Sequence, residues 1–260
     1  MNASKPVVAV IDLGDFSCQR SAMYGHQPYG LRSIHSRPLF LRMARRLSDC
    51  ELLDDVYIVG SNVPTHVLTS GLAGVRSIAL PTGHLCERLA AAADDSNAEW
   101  LVYVPANRPF VDPELVDQLL AQTLSATSDY VGFASVETEG SRVEDIGLAG
   151  EVCHADAVRR LRRNADRLVD QPGQSLLDCM STAPGAYHLK FVPLPSKLDR
   201  RDLRFSISDE ADWEDAQVLC DSVTPDDSQW QELAELVMGN ENIRDSMARR
   251  NEDESKAPLR

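Results

Sequence analysis

Five apolar runs mark the first half of the chain: "PVVAVID" (6–12), "DDVYIVGS" (54–61), "VRSIAL" (75–80), "EWLVYV" (99–104) and "DYVGFASV" (129–136). They are continuous rather than alternating and rich in β-branched residues, the pattern of strands buried on both faces. Between them the period changes. In 37–49, Leu39, Met43, Ala44 and Leu47 fall on one helical stripe, and Pro38 suits a first helical turn. Segments 63–74, 84–95 and 112–125 read as helices too, the first ending at Gly74 and the last opening on an Asp112 cap with Pro113 behind it. Strand and helix alternating over short connections predict an α/β fold: a mainly parallel central sheet with helices on both faces. Ligands of such sheets bind at the carboxyl ends of the strands. That singles out the loops at 12–36 and "PANRPFVD" (105–112).

The second half is less regular. Residues 147–165 read as a strand leading into a helix capped near His154, and 185–195 and 202–208 as further strands. Helices are expected at 209–223, with acids in the first turn, and at 226–240. The pattern predicts one domain over 1–247, with halves at about 6–136 and 137–247. The tail 248–260 has almost no apolar residues and is expected to be disordered.

Charge narrows the partners. Forty acids against 26 Lys and Arg give a net charge of −14, which argues against nucleic acid and anionic membrane surfaces because both require a positive field. The six cysteines are scattered without a metal spacing, as reduced structural thiols of a cytoplasmic protein would be. The first apolar run is too short for a signal peptide, and no run approaches the roughly 18–20 residues of a membrane span. The histidines offer no zinc spacing, and Ser17 and Cys18 have no evident triad partners in the sequence.

The first loop poses the chemical question. "VVAVIDLGDFSCQR" (7–20) stops as a strand at Gly14, between Asp12 and Asp15. A phosphate cradle wants glycines and bases. A like charge at about 4 Å and an effective dielectric near 20 costs about 4 kcal/mol, so a phosphate beside these acids would be repelled. Asp12 and Asp15 read either as a new metal site or as loop caps.

The order of several segments resembles the SpsF-like cytidylyltransferases of spore-coat polysaccharide biosynthesis, relatives of the CMP-Kdo and acylneuraminate cytidylyltransferases. "VPANRPFVDPELVDQLL" (104–120) is similar to their "TADNPFVDPEL", and "HLCERLAAAA" (84–93) to "dvLxRf…aA", with Arg88 at the arginine. "GEVCHADAVRRL" (150–161) resembles "EVFSxEALexA", "RFSISDEADWEDAQVL" (204–219) resembles "RLTVDTPEDLELI", and "LLDDVYIVGS" (52–61) and the closing "NENIRDSMARRNE" fall in the same order, a likeness over roughly 6–250. It implies a Rossmann-like nucleotide-diphospho-sugar transferase fold, with a nucleotide-binding half at about 6–136 and a sugar-binding and dimerisation half at about 137–247. It also implies transfer of CMP from CTP to a sugar or sugar acid with Mg²⁺, and a homodimer.

By position the resemblance implies nucleotide contacts from Asp12, Leu13, Gly14, Ser17, Arg37, Arg88, Asn107 and Arg108, and metal contacts from Asn107 and Asp209. The pattern is altered at its charged points. The family's "QARMGSTRLPGK" is "DLGDFSCQRSAMYG" here, the metal-binding Asp of "TADNP" is Asn107, and Ser208 stands at the acid of "TVDTPED", with Asp209 one residue later. Asn offers Mg²⁺ one neutral oxygen where a carboxylate is preferred. On the residues alone, Arg108 either binds an anion or pairs with Asp112 or Glu114, Arg37 either meets a phosphate or is solvated, and Arg88 either reaches the site or pairs near Glu87. Three functions follow: an active cytidylyltransferase, a non-catalytic nucleotide- or sugar-binding relative, or a glycosyltransferase of the same architecture.

Overall fold

The computed structural model describes residues 5–14, 28–61, 63, 74–80, 83–123, 128–136, 146–165, 175–224 and 226–256. Asp15, Ser17, Cys18, His26 and most of the helix expected at 63–74 lie outside them. Strand β1 (Val7–Asp12) is followed by a two-residue ribbon, β2 (Ser33–Ile34) and β3 (Arg37–Pro38), and by helix α1 (Leu39–Leu47). Then come β4 (Asp55–Gly60), β5 (Val75–Ala79), α2 (Leu85–Ser96), β6 (Trp100–Pro105), α3 (Pro113–Ala121) and β7 (Tyr130–Ala134). The second half holds β8 (Glu151–His154), α4 (Ala155–Arg162), α5 (Leu176–Ser181), β9 (Leu189–Pro193), α6 (Glu210–Ser222), α7 (Trp230–Gly239) and α8 (Glu241–Lys256).

Seven strands form one sheet in the order β5-β4-β1-β6-β8-β7-β9. All pairs are parallel except those of β8, which runs against both β6 and β7. The reversal brings the start of β8 to the edge where the other strands end, with Glu151 opposite Tyr103.

Strand alternation sorts the core into two layers. Ala9 and Ile11 of β1 face α1, α3, α6 and α7; Val8 and Val10 face α2, α4 and α5. These four side chains are fully buried, and burying a Val or Ile contributes about 1.5–3 kcal/mol. Local signals set the helix ends. Asp112 caps α3 by accepting from the Leu115 amide at 3.3 Å, with Pro113 at the first position, and α2 stops at Asn97 in the left-handed region (φ 54°).

Two expectations are corrected. Residues 202–208 are not a strand. Phe205 N donates to Ile146 O and Ile207 N to Asn107 O, both at 2.9 Å; these acceptors sit in separate turns, so no ladder forms. Gly147 permits the crossing: its φ is +73°, and a Cβ there would stand 2.2 Å from Ser206 N. The tail is ordered through Lys256 in α8. It continues a helix anchored just before it by Ile243 and Met247, 7% and 1% exposed, and its own Asn251 Nδ2 donates to the carbonyls of Arg201 and Leu203. Among the described residues Cys50, Cys86, Cys153, Cys179 and Cys220 are free and buried, and no helix is long and apolar enough to cross a membrane.

Candidate functional site

The carboxyl ends of β1, β4 and β6 continue their pairing past the strands. Leu13 N donates to Val59 O (2.8 Å), Ala106 N to Asp12 O (3.0 Å) and Ser61 N to Gly14 O (3.3 Å). Gly14 turns the chain at φ 81°, in the left-handed region that glycine adopts without strain. The short turn at Tyr29–Leu31 lies across this edge: a Cβ on Gly30 would stand 2.7 Å from Ala106 Cβ and 3.1 Å from Leu13 Cδ2. Close beside it, the Arg32 guanidinium sits 4.0 Å above the Trp213 ring and pairs with Glu210 at 2.6 Å.

Asp12 has the parity of Val8 and Val10, so its side chain points to the α2 layer. There it meets Arg88 in a two-pronged pair, Nε to Oδ1 at 2.7 Å and Nη2 to Oδ2 at 2.8 Å. Both residues are buried. Gly14 N also donates to Asp12 Oδ1 (2.9 Å), and Arg88 Nη1 donates to the Gly83 carbonyl. One ion pair therefore ties the β1 turn, the approach to α2 and α2 itself. It also revises the electrostatics: the repulsion expected between Asp12 and a phosphate is offset by a guanidinium in contact. Arg88 reaches the edge, while Glu87 caps its own helix by accepting from His84 N at 2.8 Å.

Asn107 lies beyond β6 and is locked to the 202–208 segment twice. Its carbonyl accepts from Ile207 N at 2.9 Å, and its Nδ2 donates to Ile207 O at 3.0 Å. Its Oδ1 is buried with no hydrogen-bond partner among the described residues. Ser208 N donates to Asp212 Oδ2 (2.9 Å), and exposed Asp209 caps α6 by accepting from Asp212 N (2.8 Å). Asp212, 4% exposed, also pairs with Arg204 at 2.9 Å and Arg250 at 2.8 Å. Asp12, Asn107 and Ser208 are thus joined along one edge through Ala106 and Ile207.

Arg108 is buried and pairs with neither Asp112 nor Glu114, which corrects one reading of the sequence. It donates to the Ala149 carbonyl, and its charge faces Glu151. Asp112 instead accepts from Trp230 N (2.9 Å) and faces Arg46 at 3.6 Å, and Glu114 accepts from Trp230 Nε1 (3.1 Å). Arg37 donates to Asp226, which Arg42 also meets at 2.7 Å. Three arginines of α4 are engaged as well: Arg159 and Arg162 hold Asp94, and Arg160 holds Asp129.

Glu151 escaped the sequence reading. Its carboxylate accepts from the first two amides of α5, Leu176 N at 3.3 Å and Leu177 N at 2.9 Å. With Arg108, Tyr130, Leu148, Leu194 and Leu198 it lines a cavity of about 30 Å³. Burial raises its carboxyl above the usual value of 4.5, with Arg108 opposing. Burial likewise raises the phenol of Tyr103, which stands between Asp12 and Glu151 in the field of both. An acid raised by folding binds its proton more tightly in the folded state, so its contribution to stability falls as pH rises from the unfolded value through the folded one. Glu151→Gln should therefore gain relative to wild type as pH rises from about 4.5 towards neutral, read from urea midpoints at each pH; a difference that does not change with pH would refute this.

Residues 20–185 match the MobA-like NTP transferase domain. The chain is 24% identical over 119 residues to the spore coat polysaccharide biosynthesis protein SpsF of Bacillus subtilis (strain 168), a match spanning 46% of each protein, about half the length of that curated relative. Among solved structures it is similar to a cytidylyltransferase from Leptospira borgpetersenii (TM-score 0.69, 15% identity, 92% of this chain and 96% of that one). It is also similar to molybdopterin-guanine dinucleotide biosynthesis protein A from Archaeoglobus fulgidus (0.57, 14%, 84% and 100%) and to CMP:2-keto-3-deoxy-manno-octonic acid synthetase complexed with CTP (0.56, 11%, 85% and 99%). At these identities the structures establish the fold.

Proposed function

This chain belongs to the MobA-like NTP transferase domain family, and from that premise we propose that it binds a cytidine nucleotide at the carboxyl edge of β1 and β6 and serves cytoplasmic sugar activation for surface polysaccharide. The reaction is transfer of CMP from CTP: an acceptor hydroxyl of a sugar or sugar acid attacks the α-phosphorus, the bond to pyrophosphate breaks, and the hydroxyl proton is released. The observation that carries the reading is the joined edge, in which Asp12–Gly14, Ala106–Asn107 and Ile207–Ser208 are held together by backbone bonds at the place where open α/β sheets take their ligands. The Asp12–Arg88 pair supports it by offsetting the nearest negative charge.

Family position implies contacts from Asp12, Leu13, Gly14, Ser17, Arg37, Arg88, Asn107 and Arg108. The implied Mg²⁺ is a poorer match to the side chains. Both Asp12 oxygens meet Arg88, Asp209 caps a helix, and Asn107 is neutral. Among the described residues no group of three His, Cys, Asp or Glu could hold a metal. The same engaged acids favour a second reading, a relative that binds the nucleotide without transferring it. The homodimer implied by the resemblance is proposed with either.

Calorimetric titration with CTP, paired with a pyrophosphate-release assay over a panel of sugar acids, tests both. Binding with release supports transfer. Binding without release for any acceptor supports the second reading, and absence of binding by CTP, CMP and CMP-sugars contradicts both.

A further inference from the structure

The double bond between Asn107 and Ile207 decides what a side chain at position 107 can be. The Asn107 carbonyl accepts from Ile207 N at 2.9 Å while its Nδ2 donates to Ile207 O at 3.0 Å, so the two residues close a ring that seats the 205–208 segment on the sheet edge. A carboxylate has no donor. At this position it would set a negative oxygen against the Ile207 carbonyl and leave that carbonyl without its amide partner. The remaining amide atom, Oδ1, is one buried neutral oxygen, whereas Mg²⁺ is held through one or two carboxylates. Among the described residues the other acids of the edge are spent on neighbours, Asp12 on Arg88 and Gly14 N, Asp209 on Asp212 N.

We propose that Asn107 is a positioning residue, a latch that fixes the 205–208 segment against the β6 edge, and that in this chain it replaces metal ligation, so that the described residues of the edge present no protein ligand set for a divalent cation. The latch itself stands on geometry; its consequence for the nucleotide rests on the proposed function.

Two measurements on the full chain test it, and they fail separately. The first needs no nucleotide. Asn107→Asp should melt below wild type at neutral pH and recover towards it as the pH falls through the range where a protonated acid can donate to Ile207 O, and Mn²⁺ should raise its melting temperature no more than it raises that of wild type. A variant as stable as wild type at neutral pH, or one stabilised selectively by Mn²⁺, would overturn the latch. The second is the ratio of CTP affinities in Mg²⁺ and in EDTA, measured by calorimetry for wild type and Asn107→Ala. The proposal expects the two ratios to agree within about twofold; a ratio that is tenfold or more in wild type and collapses in Asn107→Ala would overturn it. Should CTP fail to bind wild type at all, the functional reading falls, and the Asn107→Asp melts still decide the latch.

Discussion

Arg88→Met should destabilise the protein by about 3–5 kcal/mol, the range for removing one partner of a buried ion pair. The substitution keeps most of the side chain's volume in the α2 layer and removes only the guanidinium. Asp12, 7% exposed, would be left charged with one described donor, Gly14 N. Three elements would lose their common tie, because Arg88 joins Asp12 to the Gly83 carbonyl. Removing both charges tests the cause. Asp12→Leu combined with Arg88→Met should recover most of the loss, since replacing a buried pair with apolar residues is often neutral. Urea unfolding of the two single variants and the double variant measures this. A loss below about 1 kcal/mol for Arg88→Met, a value typical of an exposed pair, would mean that the two residues are not the buried pair described.

Asp212→Ala should have an effect of similar size, about 3–5 kcal/mol, for a different reason. One carboxylate here serves the Ser208 amide, Arg204 and Arg250 at once. Arg204 is 2% exposed, so its charge cannot relax into water when its partner goes. Arg250 belongs to α8, which makes Asp212 one point, beside the Asn251 bonds, where α8 is pinned to the segment that latches Asn107. The variant should therefore show faster amide exchange in α8 and in 205–208 than the drop in global stability alone produces, while β1 and β4 keep their relative protection. A uniform increase across the chain would contradict the pinning role.

Strands β1, β4, β5, β6 and β7 were legible as apolar runs, whereas the β2–β3 ribbon was not, and most of the helices were legible because their stripes and caps are local: Asp112 with Pro113, and the acids opening α6. What was not legible depended on partners distant in sequence. Parity along β1 assigns Asp12 to the face of Val8 and Val10, but nothing in the sequence says that α2 covers that face, and so the repulsion expected at Asp12 ignored Arg88. The run at 202–208 has a strand's composition; its acceptors, Ile146 and Asn107, sit in two different turns. The direction of β8 determines that Glu151 reaches the ligand edge, and direction leaves no mark on an apolar run. The order of α8 hid in a polar tail because two buried apolar residues and a few side-chain bonds suffice to dock it. Asn107 could be named from its loop alone, whereas its latch to Ile207, one hundred residues away, could not.

The central claim is that a cytidine nucleotide binds at the joined edge. Two-dimensional amide NMR of the labelled chain during titration with CTP tests it directly. The account predicts saturable shifts concentrated at Leu13, Gly14, Asn107 and Ser208, with α7 and β9 unmoved. Saturable shifts confined to the far elements, or none at any nucleotide concentration, would contradict it.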